Sequence, residues 1–145
     1  MSAFGYSKMS QNAIAAMSYL ASQYADASAR ASSAEIGEAR KLPKPLVAKV
    51  LTQLSQAGYV SGTPGPNGGY RLACNPDEIS FYDIVCQFDT VDDTIPCPFG
   101  SGYCPNENPC PVHDKIAHMR ESIASFLKET NFGSFTEEDL QQAGL

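Results

Sequence analysis

The chain of 145 residues has no run of about 18 apolar residues, so no segment is expected to span a membrane. Its first twenty residues, MSAFGYSKMSQNAIAAMSYL, lack a basic stretch followed by an apolar one, so no export leader is expected. The expected compartment is the reducing cytoplasm, where disulfides are rare. The five cysteines are an odd number, which suits a disulfide framework poorly. No nucleophile, base and third orienting residue come together, and Asp83 and Glu121 have no such partners, so enzyme chemistry is not expected. There is no internal repeat and no low-complexity tract. The length suffices to bury a core, so folding does not require metal or disulfides.

Positive charge is also scarce. Ten Lys and Arg face sixteen Asp and Glu, for a net charge of −6, which by itself argues against nucleic acid. The distribution along the chain argues otherwise. Residues 1–73 carry Lys8, Arg30, Arg40, Lys41, Lys44, Lys49 and Arg71 against Asp26, Glu35 and Glu38, a balance of +4. Residues 74–145 carry Lys115, Arg120 and Lys128 against thirteen acids, a balance of −10. Such asymmetry suggests an anion-facing front and an acidic back, although +4 over that length also fits an ordinary solvated surface.

Apolar spacing predicts the elements. Ile14, Met17, Leu20, Ala21 and Tyr24 mark a helix over 8–25. After the polar break DASARASS, Ser33 is expected to cap a helix over 34–40 that holds Ile36 against the core. KLPKP is a turn, and Pro45 suits the first turn of a third helix. That helix carries Leu46, Val47, Val50, Leu51 and Leu54, and Gly58 ends it. Residues 59–63 and 70–73 flank a Gly/Pro/Asn turn and read as a hairpin. A short helix is expected over 79–88 and a long one over 112–130. In the long one, Val112, Ile116, Met119, Ile123 and Phe126 form a heptad-like apolar seam.

Helix, short helix, turn, longer helix and hairpin is the order of a winged helix-turn-helix. A narrow second helix can enter a major groove and meet base edges, here with Lys44, Lys49, Thr52 and Gln53, while the hairpin reaches the flanking backbone. Glycines 65, 68 and 69 permit a tight tip. The fold class expected is mainly α with a small β-hairpin wing, a winged helix-turn-helix plus a long dimerisation helix. Its parts are a DNA-binding domain over 1–88, a cysteine-rich loop over 89–111, and a dimerisation helix and tail over 112–145.

The loop CPFGSGYCPNENPCPVH gathers Cys97, Cys104, Cys110 and His113. It could be a disulfide knot, a zinc site, an iron–sulfur cluster or a reactive thiol. Zinc usually takes a tight C-x₂₋₄-C knuckle, which is missing between these cysteines. Wider gaps wrap more naturally around a larger object, and glycine N–H groups can hydrogen-bond to sulfide and thiolate. Asp92, Asp93, Glu107 and Asp114 would raise a thiol's pKa, against a thiolate switch. Cys74 and Cys86 lie in apolar-patterned segments and read as small core hydrophobes. His118 falls off the ligand face and reads as a surface residue.

The stretch AEIGEARKLPKPLVAKVLTQLSQAGYVSGTPGPNGGYRLA resembles the winged-helix repressors of the iron–sulfur cluster regulator family, with its IscR-, NsrR- and CymR-type members. The most specific piece is LxxAGYVxGxxGPNGGYRL, residues 54–72, and the likeness covers nearly the whole chain. The resemblance implies a homodimer on double-stranded, partly palindromic operator DNA, with the long helix crossing its twin. DNA contacts would come from Lys8, Lys44, Leu46, Lys49, Gln53, Thr63, Asn67 and Arg71. Pro64 stands where DNA-reading members often carry an arginine, so phosphate contact would fall to Arg71 rather than to an inserted wing arginine. Ala48 stands where cluster-responsive members can carry a glutamate, so an acidic gate against DNA is absent. The resemblance also implies an iron–sulfur cluster held by Cys97, Cys104 and Cys110. In IscR-type members the fourth ligand is a histidine after C-x-x, matched by His113 in CPVH. In NsrR-type members it is an acid on the partner's first helix, where this chain has Met9-Ser10-Gln11-Asn12. A [2Fe–2S] cluster is therefore expected, with [4Fe–4S] the alternative, since the first gap has six residues where the family usually has five.

Overall fold

The computed structural model describes residues 7–66, 68–89 and 111–135. Helices α1 (Lys8–Ser22), α2 (Ser33–Arg40) and α3 (Lys44–Gln56) lead into a hairpin of β1 (Val60–Thr63) and β2 (Gly69–Leu72). Among the described residues, a 3₁₀ turn (Pro76–Glu78), a short α4 (Phe81–Val85), the long α5 (His113–Glu129) and a further 3₁₀ turn (Phe132–Ser134) follow.

Helices α1, α2 and α4 start where a side chain satisfies one of their open N–H groups. Ser7 caps α1, its hydroxyl accepting from the Ser10 N–H at 3.2 Å. Ser32, not Ser33, caps α2, accepting from the Glu35 N–H at 3.1 Å. Ser33 is already the first helical residue, so the start lies one residue earlier than the spacing predicted. Pro45 does sit in the first turn of α3, where an N–H has no helical partner to lose. Val47, Val50, Leu51 and Leu54 form the buried stripe of α3, packed with Ala13, Ala16, Met17 and Leu20 of α1.

The turn between α2 and α3 depends on one glycine. The chain leaves α2 through Lys41 in the left-handed region (φ 57°, ψ 46°), and the Leu42 N–H donates back to the Gly37 carbonyl at 2.8 Å. This return brings the Leu42 carbonyl so close that a Cβ on Gly37 would lie 2.6 Å from its oxygen. The obstacle is backbone and cannot swing away as a side-chain tip would.

In the hairpin, Val60 pairs with Leu72 and Thr63 with Gly69, leaving Val60 and Leu72 buried at its base. Ala31 adds a third edge by pairing with Tyr70: N–H to carbonyl at 3.0 Å one way and 2.8 Å the other. Helix α4 is shorter than the predicted 79–88. Residues 76–78 form their own turn, capped by Asn75, and Ser80 with Asp83 then makes a reciprocal capping box. After α5 the chain turns back onto this region. The Phe81 N–H donates to the Thr130 carbonyl at 2.8 Å and the Phe132 N–H to the Ile79 carbonyl at 3.1 Å. Leu127 and Phe132 are fully buried, the Phe132 ring 4.7 Å from that of Phe81. The C-terminal end of α5 thus shares one core with α1–α4. The seam predicted on α5 faces outward in part: Met119 and Phe126 are about half exposed, at 50% and 53%.

Asp89 closes the start of α1. Its carboxylate accepts from the Ser7 N–H at 2.9 Å, the Ser7 hydroxyl at 2.8 Å and the Ser10 hydroxyl. Negative charge there also complements the helix dipole. Burial works to raise this carboxyl's pKa, but the hydrogen bonds from Ser10 and Ser7 outweigh it and hold the group below its ordinary value.

Two outcomes follow from these contacts. Gly37→Ala should lower stability in urea by about 1–3 kcal/mol through overpacking against backbone, whereas Ala39→Ser on the exposed side of α2 should change it by less than about 0.5 kcal/mol. Asp89 has a depressed pKa in the folded state. Its stabilisation should be complete above the unfolded value of about 3.9 and fade as pH falls through the lower folded value. Asp89→Asn should therefore melt at lower temperature at pH 7 and show a flatter loss of stability toward pH 3; a profile parallel to that of the parent would contradict this assignment.

Candidate nucleic-acid interface

Opposite its buried stripe, α3 presents an exposed face that includes Pro45, Lys49, Thr52 and Gln56, with Lys44 exposed at its edge. The helix period produces this division, since residues seven apart return to the same side. Thr52 keeps its hydroxyl on the Ala48 carbonyl at 2.8 Å, which leaves its methyl group and a lone pair to the outside. Lys41, exposed at the left-handed end of α2, lies just before this face. Nothing in the sequence pattern singled it out, because its position follows from the backbone turn. Lys8 is exposed on the first turn of α1, and Thr63 is exposed at the end of β1 with Pro64, Gly65 and Pro66 beyond it. The wing tip is tight: a Cβ on Gly68 would fall 1.9 Å from the Thr63 carbonyl oxygen. Asn67 lies outside the described residues.

Three other predicted contacts sit differently. Leu46 is partly buried beside the core stripe. Gln53 does not face outward with Thr52; it is partly buried, and its amide donates to the main-chain carbonyl of Gln87. Arg71 is engaged within the fold. Its Nη1 donates to the Asp26 and Ala27 carbonyls at 3.1 and 3.0 Å, and its guanidinium stacks 5.0 Å from the centre of the Tyr24 ring. Asp26 shapes that turn by accepting from the Ser28 hydroxyl at 2.7 Å and the Ser28 N–H at 3.0 Å, bonds that lower its own pKa.

The remaining arginines are internal ties as well. Arg30 donates to the Ala27 and Ala29 carbonyls of the same turn at 3.2 and 2.9 Å. Arg40 donates from Nε to the Ser18 hydroxyl at 3.1 Å and lies 5.4 Å from the centre of the Tyr19 ring, joining α2 to α1. Burial pushes its pKa down, against an opposing pull from Tyr19. The front-half charge thus divides by residue type: Lys8, Lys41, Lys44 and Lys49 are exposed, while Arg30, Arg40 and Arg71 brace the turns behind them.

Of the predicted cluster ligands, Cys97, Cys104 and Cys110 lie outside the described residues. His113 is the first residue of α5 and is partly buried. Among the described residues no group of three or more His, Cys, Asp or Glu could hold a metal ion. Cys74 is partly buried, with its thiol 3.8 Å from the Gly58 carbonyl. Cys86 is exposed, which corrects its reading as a core hydrophobe: it caps α4 after the last buried turn. His118 is at the surface, as its spacing predicted.

The profile of the Rrf2 family, described as an iron-dependent transcriptional regulator, matches residues 6–138. A protein of Aquifex aeolicus (strain VF5), provisionally named an HTH-type transcriptional regulator, is 37% identical over 98 residues, covering 66% of this chain and 68% of its own. The HTH-type transcriptional regulator IscR of Aliivibrio salmonicida (strain LFI1238) is 29% identical over 110 residues, or 75% of this chain; the match spans 65% of its length, just under two thirds. In fold, the chain is similar to CymR, the global cysteine regulator of B. subtilis (TM-score 0.70, 22% identity, 94% of this chain and 95% of that one). It is also similar to IscR of T. potens (TM-score 0.69, 21% identity, 96% of this chain and 87% of that one). Among the described residues no helix is long and apolar enough to cross a membrane. With lysines exposed on α3, a glycine-tipped wing and a family match over nearly its whole length, the chain belongs to the Rrf2 family of winged-helix regulators, DNA-binding transcription factors rather than enzymes.

Proposed function

We propose that the protein is a cytoplasmic homodimeric repressor whose grip on operator DNA is switched by an iron–sulfur cluster in the cysteine loop. The observation that carries the DNA half is the exposed face of α3, with Lys44 and Lys49 standing clear of the core behind a turn that Gly37 holds tight. The lysines position the helix through phosphates, and Thr52 with its neighbours meets base edges. Thr63 and Asn67 of the wing, with Lys8, extend the contact. Arg71 serves by fixing the wing to the end of α1.

Dimerisation through α5 is supported by Met119 and Phe126, two large apolar side chains half exposed on one seam. The neighbouring side of the helix end is already occupied, since Leu127 is buried in the head and the Phe126 ring meets Phe81 edge-on at 6.4 Å. A second copy crossing this seam would cover it and set the distance between two heads, as a two-fold operator requires.

Cys97, Cys104, Cys110 and His113 would hold the cluster. The donor set suits it: thiolates are the usual ligands of iron–sulfur clusters, and imidazole can replace thiolate at an iron. His113 opens α5, where the helix dipole favours the negative charge of a thiolate-ligated site. When bound, the cluster supplies a centre whose charge and ligation respond to redox state, nitric oxide or iron–sulfur supply. The [2Fe–2S] form is the one that a cysteine and histidine set favours.

Two measurements test these halves separately. Lys44→Ala and Lys49→Ala should each weaken binding to operator and random duplex alike, and each should reduce the salt slope by about one; unchanged slopes would move the interface elsewhere. Protein purified without oxygen should be coloured and carry iron and acid-labile sulfide in roughly equal amounts, and Cys104→Ala should lose both. A colourless protein that cannot be reconstituted with iron and sulfide would leave a metal-free regulator, responding to thiol oxidation or a metabolite.

A further inference from the structure

The cysteine loop must report to the DNA face through the residues that fasten it there. On its N-terminal side the chain reaches the loop through residues 86–89. This segment closes α4 with bonds from the Cys86 N–H to the Tyr82 carbonyl at 3.0 Å and from the Asp89 N–H to the Val85 carbonyl at 2.9 Å. It is also held by two elements of the DNA-binding head. Asp89 takes its three bonds from Ser7 and Ser10 at the start of α1. The Gln87 carbonyl accepts from the Gln53 amide of α3.

Gln53 is next to exposed Thr52 in sequence and lies four residues from Lys49 and three from Gln56, one helical turn either way. Its backbone therefore moves as one body with the side chains proposed to meet DNA. Its amide, however, is not available to a base while it stays on Gln87. We propose that Gln53 is a positioning residue that couples the cysteine loop to the recognition helix, rather than a reader of sequence. This inference rests on the cluster-switch reading above. A displacement of residues 86–89 would either draw α3 with it or break the bond, and Asp89 would carry the same displacement to the start of α1.

The test compares operator affinity with and without the reconstituted cluster in the parent protein and in Gln53→Met, which keeps length but has no donor. Gln53→Lys restores a donor, and Gln53→Glu provides a second donor-free variant should Gln53→Met fold poorly. Comparing the two states within each variant cancels the general effect of its charge on DNA. The parent should show a ratio of affinities between states, and Gln53→Met and Gln53→Glu should shrink that ratio by about fivefold or more. Gln53→Lys should recover it, with base preference unchanged throughout. In protein without cluster, Gln53→Met should also speed amide exchange in residues 87–89.

A parent ratio of one would overturn the switch itself, and this inference with it. A parent ratio that persists in both donor-free variants, with exchange at residues 87–89 unaltered, would overturn this inference alone. A changed base preference in both states with the ratio intact would overturn it too, by making Gln53 a reader.

Discussion

The approach of the Leu42 carbonyl to the backbone of Gly37 is the constraint on which the interface depends. Without a side chain at that position, α2 can end in a left-handed residue and return at once toward its own last turn. Helix α3 then starts after only three intervening residues, with a proline in its first turn to stiffen the start. The direction of α3 is therefore set by backbone contacts, and its buried stripe of Val47, Val50, Leu51 and Leu54 sets its rotation. Direction and rotation together decide that Lys49 and Thr52 face outward. A reading helix needs both, because side chains must arrive at base edges within hydrogen-bond reach.

The same head receives both ends of the loop-bearing region. Asp89 binds the start of α1 on one side, and on the other Leu127 and Phe132 enter the core that contains Phe81 and Ile84. Helix α5 is consequently anchored at its C-terminal end in the head, while Met119 in its middle and Phe126 near that end are half exposed. A helix held in this way is tied to the head at that end, and packed cores respond by discrete shifts rather than by continuous bending. An isolated dimerisation arm joined by a flexible linker would have no such property.

Much of this was legible in the sequence, and the parts that were not have a common cause. Periodicity located the five helices of the described residues and the hairpin to within a few residues, because the residues it uses are near neighbours on one element. The outward placement of Lys44 and Lys49 followed from the same count. What the count could not supply was the partner of a polar side chain lying at the edge of a face. Gln53 was expected at DNA as an exposed side chain of the groove-entering helix, yet its amide finds a carbonyl 34 residues further on. Arg71 was expected at phosphate because it lies in the wing, yet its donors meet carbonyls about 45 residues earlier. The 3₁₀ turn at Phe132–Ser134 was missed because its only strong signal is one buried aromatic, whose burial depends on Phe81 across the fold. Long-range contacts of this kind have no local period, so they appear only when the chain is assembled.

The net charge illustrates the difference between composition and placement. An acidic chain should be repelled by DNA if its charges were spread evenly, but association is governed by the potential at the contacting face, screened beyond about 8–10 Å at physiological salt. Here the arginines, whose planar groups suit several carbonyl acceptors at once, brace the turns between α1 and the wing. The lysines, with one compact charge on a flexible stem, remain at the surface of α2's end and α3. That division leaves at the surface charges that can move without disturbing the fold, while the arginines stay bound into it.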